Sequence, residues 1–123
     1  MRRILVVDDE HLVADTLGLI LIKHGFAVRT VYSAQEALIS AREFKPDLLL
    51  CDIDMPGRDG VDLMGDIGLE LPKCGILVLT GFYSAVKRVR ERASTLSQPV
   101  NILTKPCNPV ELLREAGAML KSA

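Results

Sequence analysis

Leu48-Leu49-Leu50-Cys51-Asp52-Ile53-Asp54 runs four apolar side chains in succession and then places two carboxylates around one isoleucine. An unbroken apolar run of this length, with no polar residue in alternation, reads as a short strand covered on both faces, and such strands belong to parallel sheets. Working outward, similar runs occupy residues 4–7, 27–32, 76–80 and 100–103, so that with 48–53 the chain is expected to form five strands. Longer stretches with helical spacing separate them. That alternation predicts an α/β fold, a doubly wound (βα)5 unit built on a five-stranded parallel sheet.

The helical segments carry their own start and stop signals. Residues 12–23 put Val13, Leu17, Ile20 and Leu21 on one face, and Gly25 supplies a left-handed stop. Ser33-Ala34-Gln35-Glu36 is a capping box that opens a second helix, which Pro46 ends. A third helix is expected over 61–71, with Gly65 and Gly68 each costing it about 1 kcal/mol relative to Ala. Val86, Val89, Ala93 and Leu96 define a fourth, whose outer side carries Lys87, Arg88, Arg90 and Arg92 and reads as a solvated face. Asn108 caps a fifth, with Pro109 at its first position.

Right-handed crossovers bring the C-terminal ends of all the strands to one edge of the sheet, the edge where open α/β sheets bind ligands. Strand one ends in Asp8-Asp9-Glu10, strand three in Asp52-Ile53-Asp54, strand four in Thr80 and strand five in Thr104-Lys105. Carboxylates about 4 Å apart repel by roughly 4 kcal/mol at an effective dielectric near 20. Asp8, Asp9 and Asp52 together must therefore bind a cation or take up protons, and an all-oxygen site suits Mg²⁺ best. Lys105 and Thr80 add an ammonium and a hydroxyl suited to phosphoryl oxygens, and one carboxylate is left to act as nucleophile. Taken singly, Asp8 and Asp9 read equally well as helix caps and Lys105 as a surface ion-pair partner; their convergence carries the inference.

Composition sets the outer bounds. The chain has 123 residues, 15 Lys and Arg against 16 Asp and Glu, and 49% hydrophobic residues, which fits one globular domain over 1–123 with no need of staples. A net charge of −1 argues against a dedicated nucleic-acid or membrane-surface binder. Cys51, Cys74 and Cys107 fit neither a disulfide framework nor a paired-ligand zinc site and read as reduced thiols. With no apolar stretch near 18 residues and no signal-peptide pattern, the cytoplasm is the expected location.

These residues resemble the receiver domain of two-component response regulators, the chemotaxis type included, over essentially the whole chain. Ile4-Leu5-Val6-Val7-Asp8-Asp9-Glu10 is similar to that family's opening strand and acidic pair, and 47–60, including Met55-Pro56-Gly57-Arg58-Asp59-Gly60, to its phosphoacceptor segment. Ile76-Leu77-Val78-Leu79-Thr80 and Leu103-Thr104-Lys105-Pro106 match the other two motifs. The resemblance implies a flavodoxin-like strand order 2-1-3-4-5 and Asp52 as acceptor of a phosphoryl group from a histidine kinase or histidine phosphotransfer protein. It further implies Mg²⁺ held directly by Asp9 and Asp52, by Asp8 through water and by the backbone carbonyl of Asp54. Thr80 and Lys105 would bind phosphoryl oxygens, Gly81 would leave their path open, and Lys105-Pro106 is a candidate cis peptide. The implied output is a change in partner affinity around the fourth helix and fifth strand.

Two departures stand out. Ile102 occupies a position where the family usually has Tyr or Phe, and 93–99 lacks the usual Gly-Ala turn and is longer than typical. Two other readings compete: an adaptor with this fold that is never phosphorylated, and a haloacid-dehalogenase-type phosphatase using Asp52 and Asp54. The phosphatase family usually has Thr or Val where Pro56 stands, and its nucleophile strand comes first. On the receiver reading the chain is no enzyme, losing only its own phosphoryl group. No phosphate-binding glycine loop follows the first strand, which excludes a nucleotide site of the usual kinds. His11 is expected to face solvent or support the acidic cluster, and His24 to meet a helix end; Phe82 and Tyr83 either cover the site or belong to a docking surface. A chain ending at Ala123 is read either as acting alone through protein contacts or as a receiver cut from something longer.

Overall fold

Leu48–Asp52 forms β3, every residue of which is buried, because helices cover both faces of the strand. In the computed structural model, which describes residues 1–55 and 59–121, the remaining strands are β1 (Arg3–Val7), β2 (Ala27–Val31), β4 (Gly75–Thr80) and β5 (Val100–Thr104). All neighbours pair in parallel, in the order β2-β1-β3-β4-β5. The expected (βα)5 architecture and strand order are thus borne out. β2 and β5, at the sheet edges, are only partly buried, whereas the runs of β1, β3 and β4 lie almost wholly out of water.

The two-residue pleat sorts the apolar side chains into two cores. Leu5, Val7, Leu49, Cys51, Ile76 and Val78 face one side, with α2 (Ala34–Phe44), α3 (Gly60–Glu70) and α4 (Tyr83–Ala93) laid over them. Ile4, Val6, Leu48, Leu50, Leu77 and Leu79 face the other, under α1 (His11–Lys23) and α5 (Pro109–Lys121). Fully burying one such Leu or Ile contributes about 1.5–3 kcal/mol, so the paired cores fix both the order of the strands and the edge at which they end.

Local signals behave as the side-chain chemistry dictates, with three corrections. Gly25 adopts φ +92 just past α1, and Asn108 Oδ1 accepts from Glu111 N at 2.8 Å to cap α5. At α2, Ser33 Oγ accepts from Glu36 N at 3.1 Å, but the Glu36 carboxylate accepts from Tyr32 N at 2.9 Å, one residue before the cap. That helix ends at Phe44 on Lys45, which takes a left-handed φ of 50 ahead of Pro46. The fourth helix begins at Tyr83 and ends at Ala93, earlier at both ends than its apolar spacing suggested. Leu96 lies in the following turn, close enough to α3 that a Cβ added at Gly68 would collide with its side chain. Gly68 is the space into which Leu96 packs. Gly65 likewise leaves room for the Arg92 guanidinium, which stands 3.0 Å from where a Cβ would be.

Candidate functional site

Each strand carries its polar residue to the same edge by running out of apolar ones. β1 gives way to Asp8, β3 ends on Asp52, β4 on Thr80, and Lys105 follows β5. Registers of Asp52 with Leu79 and of Thr80 with Thr104 keep these ends level. Asp8, Asp9 and Asp52 each bring a carboxylate oxygen within 4.8 Å of the other two. Asp8 is 1% exposed and Asp52 3%, so the cluster sits at the floor of the edge and not on a solvated loop.

The contacts are few and directional. Lys105 Nζ stands 3.1 Å from Asp52 Oδ1 and 4.0 Å from Asp8 Oδ2. Asp52 Oδ1 also accepts from Asp54 N at 3.1 Å, and Asp8 Oδ1 from Glu10 N at 3.0 Å. The Thr80 hydroxyl, itself fully buried, is 3.3 Å from Asp54 Oδ2, 3.4 Å from the Phe82 carbonyl and accepts from Phe82 N at 3.2 Å. Lys105-Pro106 is cis, and Lys105 N donates to the Thr80 carbonyl at 2.8 Å, which ties the lysine to the end of β4. A Cβ at Gly81 would meet Lys105 Cβ at 3.9 Å, an ordinary contact.

Charge in this floor is strained in a way that defines its chemistry. Burial raises the Asp8 carboxyl to about 6; the Glu10 amide opposes this, the Asp52 charge adds to it, Lys105 lowers it and Asp9 raises it. Lys105 moves the other way from what burial alone would do: desolvation lowers it, but the hydrogen bond and charge of Asp52, with Asp8 and Asp54 behind, leave it raised. Asp8 Oδ2 is buried with no hydrogen-bond partner among the described residues. An anionic oxygen so placed is costly unless a cation completes it. The donor set of three carboxylates suits a hard divalent ion, so the residues present fit Mg²⁺.

Several expectations for the surroundings are now placed. Neither Asp8 nor Asp9 caps α1, whose N-cap is Glu10 without a side-chain bond. His11 stacks on Tyr32 with ring centroids 3.7 Å apart, and His24 Nδ1 lies 2.9 Å from the Ile20 carbonyl at the end of α1. Phe82 and Tyr83 are exposed. Burial pushes the Cys74 thiol up to about 12 and Cys51 also upward, so both are inert side chains of the core. Pro56, Gly57 and Arg58 of the acceptor motif lie outside the described residues.

The fourth helix's basic face is not simply solvated: Arg88 Nη2 pairs with Asp59 Oδ2 at 2.7 Å. Asp59, paired with Arg88, and the Asp54 side chain, 3.3 Å from the Thr80 hydroxyl, are two carboxylates whose contacts the sequence did not indicate. An Asp directly before the helical spacing of α3 was a legible N-cap signal, and Asp59 Oδ1 indeed accepts from Asp62 N at 3.0 Å. Its pairing with Arg88 left no signal in the sequence.

The family model of the response regulator receiver domain matches residues 4–116. Among curated relatives, the DNA-binding response regulator MtrA of Mycobacterium tuberculosis is 33% identical over 98% of this chain but only 51% of its own length, and that of Mycolicibacterium smegmatis is 34% identical with the same shares covered. The chain spans about half the length of these relatives. Among solved structures, the receiver domain of NtrX from Brucella abortus superposes with a TM-score of 0.86 at 27% identity, covering 98% of this chain and 99% of that one. Chemotaxis protein CheY4 of Vibrio cholerae gives 0.86 at 26%, covering 97% and 98%. These matches lend no support to the phosphatase or the adaptor.

Proposed function

The chain belongs to the response regulator receiver domain family, and from that premise we propose that Asp52 is the phosphoryl acceptor of this two-component switch, over a receiver unit spanning 1–123. The observation that carries this reading is the Asp52 carboxylate itself, 3% exposed, with Lys105 Nζ 3.1 Å from one oxygen and two further carboxylates beside it. In the transfer, an Asp52 oxygen bonds to the phosphorus of a phosphohistidine as the P–N bond breaks, and the electron pair returns to the imidazole nitrogen. The product is an aspartyl phosphate. Lys105, 3.1 Å from Asp52 Oδ1, meets the incoming oxygens, while Thr80 turns its hydroxyl toward them.

Asp9 and Asp52 directly, Asp8 through water and the Asp54 carbonyl would hold Mg²⁺, which when bound supplies neutralisation of the phosphoryl charge. The donor is a histidine kinase or histidine phosphotransfer protein, and the phosphorylated chain changes its affinity for a protein target through the surface around α4 and β5. MtrA is a DNA-binding regulator; for the present residues, with a net charge of −1, contact with protein is proposed and neither direct DNA nor membrane contact. None of the described helices is long and apolar enough to cross a membrane, in keeping with action in the cytoplasm. The chain is not an enzyme with a separate substrate; it only hydrolyses its own aspartyl phosphate slowly. Incubation with Mg²⁺ and a small acyl phosphate adds one phosphoryl mass to the wild type and none to Asp52→Asn. Equal labelling of both, or an adduct on another side chain, would overturn the assignment.

A further inference from the structure

α4 is fastened to the acceptor side of the molecule at two points. Its N-cap, Phe82, has no side-chain cap bond, and the Phe82 amide donates instead to the Thr80 hydroxyl at 3.2 Å. That hydroxyl has one proton to give, and Asp54 Oδ2 lies 3.3 Å from it. On the second turn, Arg88 Nη2 donates to Asp59 Oδ2 at 2.7 Å, while Asp59 Oδ1 caps α3 through Asp62 N. One carboxylate therefore both starts α3 and holds α4. The far half of α4 is seated differently: Val89 is fully buried and Arg92 lies over Gly65.

Resting on the reading of Asp52 as phosphoryl acceptor, we propose that the Arg88–Asp59 pair is a tether that keeps α4 in its unphosphorylated position and sets the threshold of the switch. A phosphoryl group on Asp52 competes with Asp54 for the single Thr80 proton. When the hydroxyl turns, the Phe82 amide loses its acceptor and the entrance of α4 is released. Because the far half stays seated on α3, the motion open to α4 is a swing of its first turns, and Arg88 is the side chain that resists it. Partial burial pushes the Asp59 carboxyl up, but Arg88 and the amides of Asp62 and Val61 outweigh it and hold the group below the usual carboxylate range, as expected of a formed pair. By reciprocity, whatever eases α4 away from α3 must strengthen phosphoryl binding by the same factor.

The test uses Mg²⁺ with beryllofluoride, an unreactive mimic of the phosphoryl group, titrated by calorimetry, with backbone amides 83–89 followed by NMR. Arg88→Gln and Asp59→Asn, the latter still able to cap α3, are each expected to bind the mimic about two- to five-fold more tightly, the range of a half-exposed pair. The double variant should gain no more than either single one, and the amides should lie part-way to their bound positions before the mimic is added. Arg90→Gln, which removes equal charge from the same helix, should bind as the wild type. Unchanged or weaker binding by both Arg88→Gln and Asp59→Asn, or equal tightening by Arg90→Gln, overturns the tether while leaving the acceptor in place. A wild type that neither binds the mimic nor labels at Asp52 overturns the acceptor reading and the tether with it.

Discussion

Asp8→Asn should make the metal-free protein more stable, not less. The carboxyl is raised from 3.8 to about 6, chiefly because burial penalises its charge. At about 1.4 kcal/mol per pKa unit, ionised Asp8 opposes folding by roughly 3 kcal/mol above pH 6. The folded chain holds this proton more tightly than the unfolded chain, so the Asp8 contribution to stability is greatest below pH 4, falls as pH rises toward 6 and is flat beyond. Asparagine keeps an oxygen for the Glu10 amide and carries no charge, but its amide hydrogens would face Lys105, whose Nζ is 4.0 Å from Asp8 Oδ2. That residual repulsion leaves a net gain of about 1–2 kcal/mol at pH 7.5, or on the order of 4 °C per kcal/mol in midpoint temperature. Urea unfolding followed by circular dichroism in EDTA measures it as a shift of midpoint at constant slope. The wild-type deficit should close as pH is lowered from 6 to 4. Mg²⁺ should reverse the order, since a ligand at a hundred times its dissociation constant stabilises the wild type by about 2.7 kcal/mol, more than the variant's gain, and the variant loses a carboxylate from the site. A variant no more stable than wild type in EDTA at pH 7.5, or a difference that ignores pH between 4 and 6, would refute the reasoning.

Two further substitutions follow from the glycines. A Cβ at Gly60 would stand 2.7 Å from Ile53 Cα and 2.8 Å from the Asp52 carbonyl oxygen, backbone atoms that cannot step aside, so Gly60→Ala should cost about 1–3 kcal/mol in urea titration and lower Mg²⁺ affinity by displacing the acceptor strand. The nearest atoms a Cβ at Gly68 would meet all belong to the Leu96 side chain, so Gly68→Ala should be destabilising alone and less so, or stabilising, on a Leu96→Ala background where the alanine's helix propensity of about 1 kcal/mol is no longer opposed. The sign of that coupling in a double-mutant cycle checks the packing.

The fold was legible because its signals are local and redundant. Leu48-Leu49-Leu50-Cys51 can be read as a doubly covered strand without knowing what covers it, and β1 and β4 repeat the pattern. Chirality then leaves one edge for Asp8, Asp52, Thr80 and Lys105 to share, which is why residues up to 97 positions apart in the chain could be assembled from sequence alone (Lys105 less Asp8). Where two segments compete for the same surface, local spacing misleads. Leu96 falls in register with Val86, Val89 and Ala93, yet α4 stops at Ala93 and Leu96 packs against Gly68 of α3 instead of extending the helix.

The same limit explains why the acceptor was readable and its connection to α4 was not. A buried carboxylate beside a lysine is dictated by the ends of strands, whose positions follow from topology. Arg88 and Asp59 lie on a helix face and a loop end whose relative rotation depends on how α4 sits on α3, and that depends on Gly65 and Gly68, which composition registers only as helix weakeners. The two glycines lower the intrinsic stability of α3, and in return let Arg92 and Leu96 settle against it and bring Arg88 to 2.7 Å from Asp59. A helix tuned for its own stability would hold α4 further off and break that pair, so the weak helix former at these positions is a condition of the contact between α3 and α4.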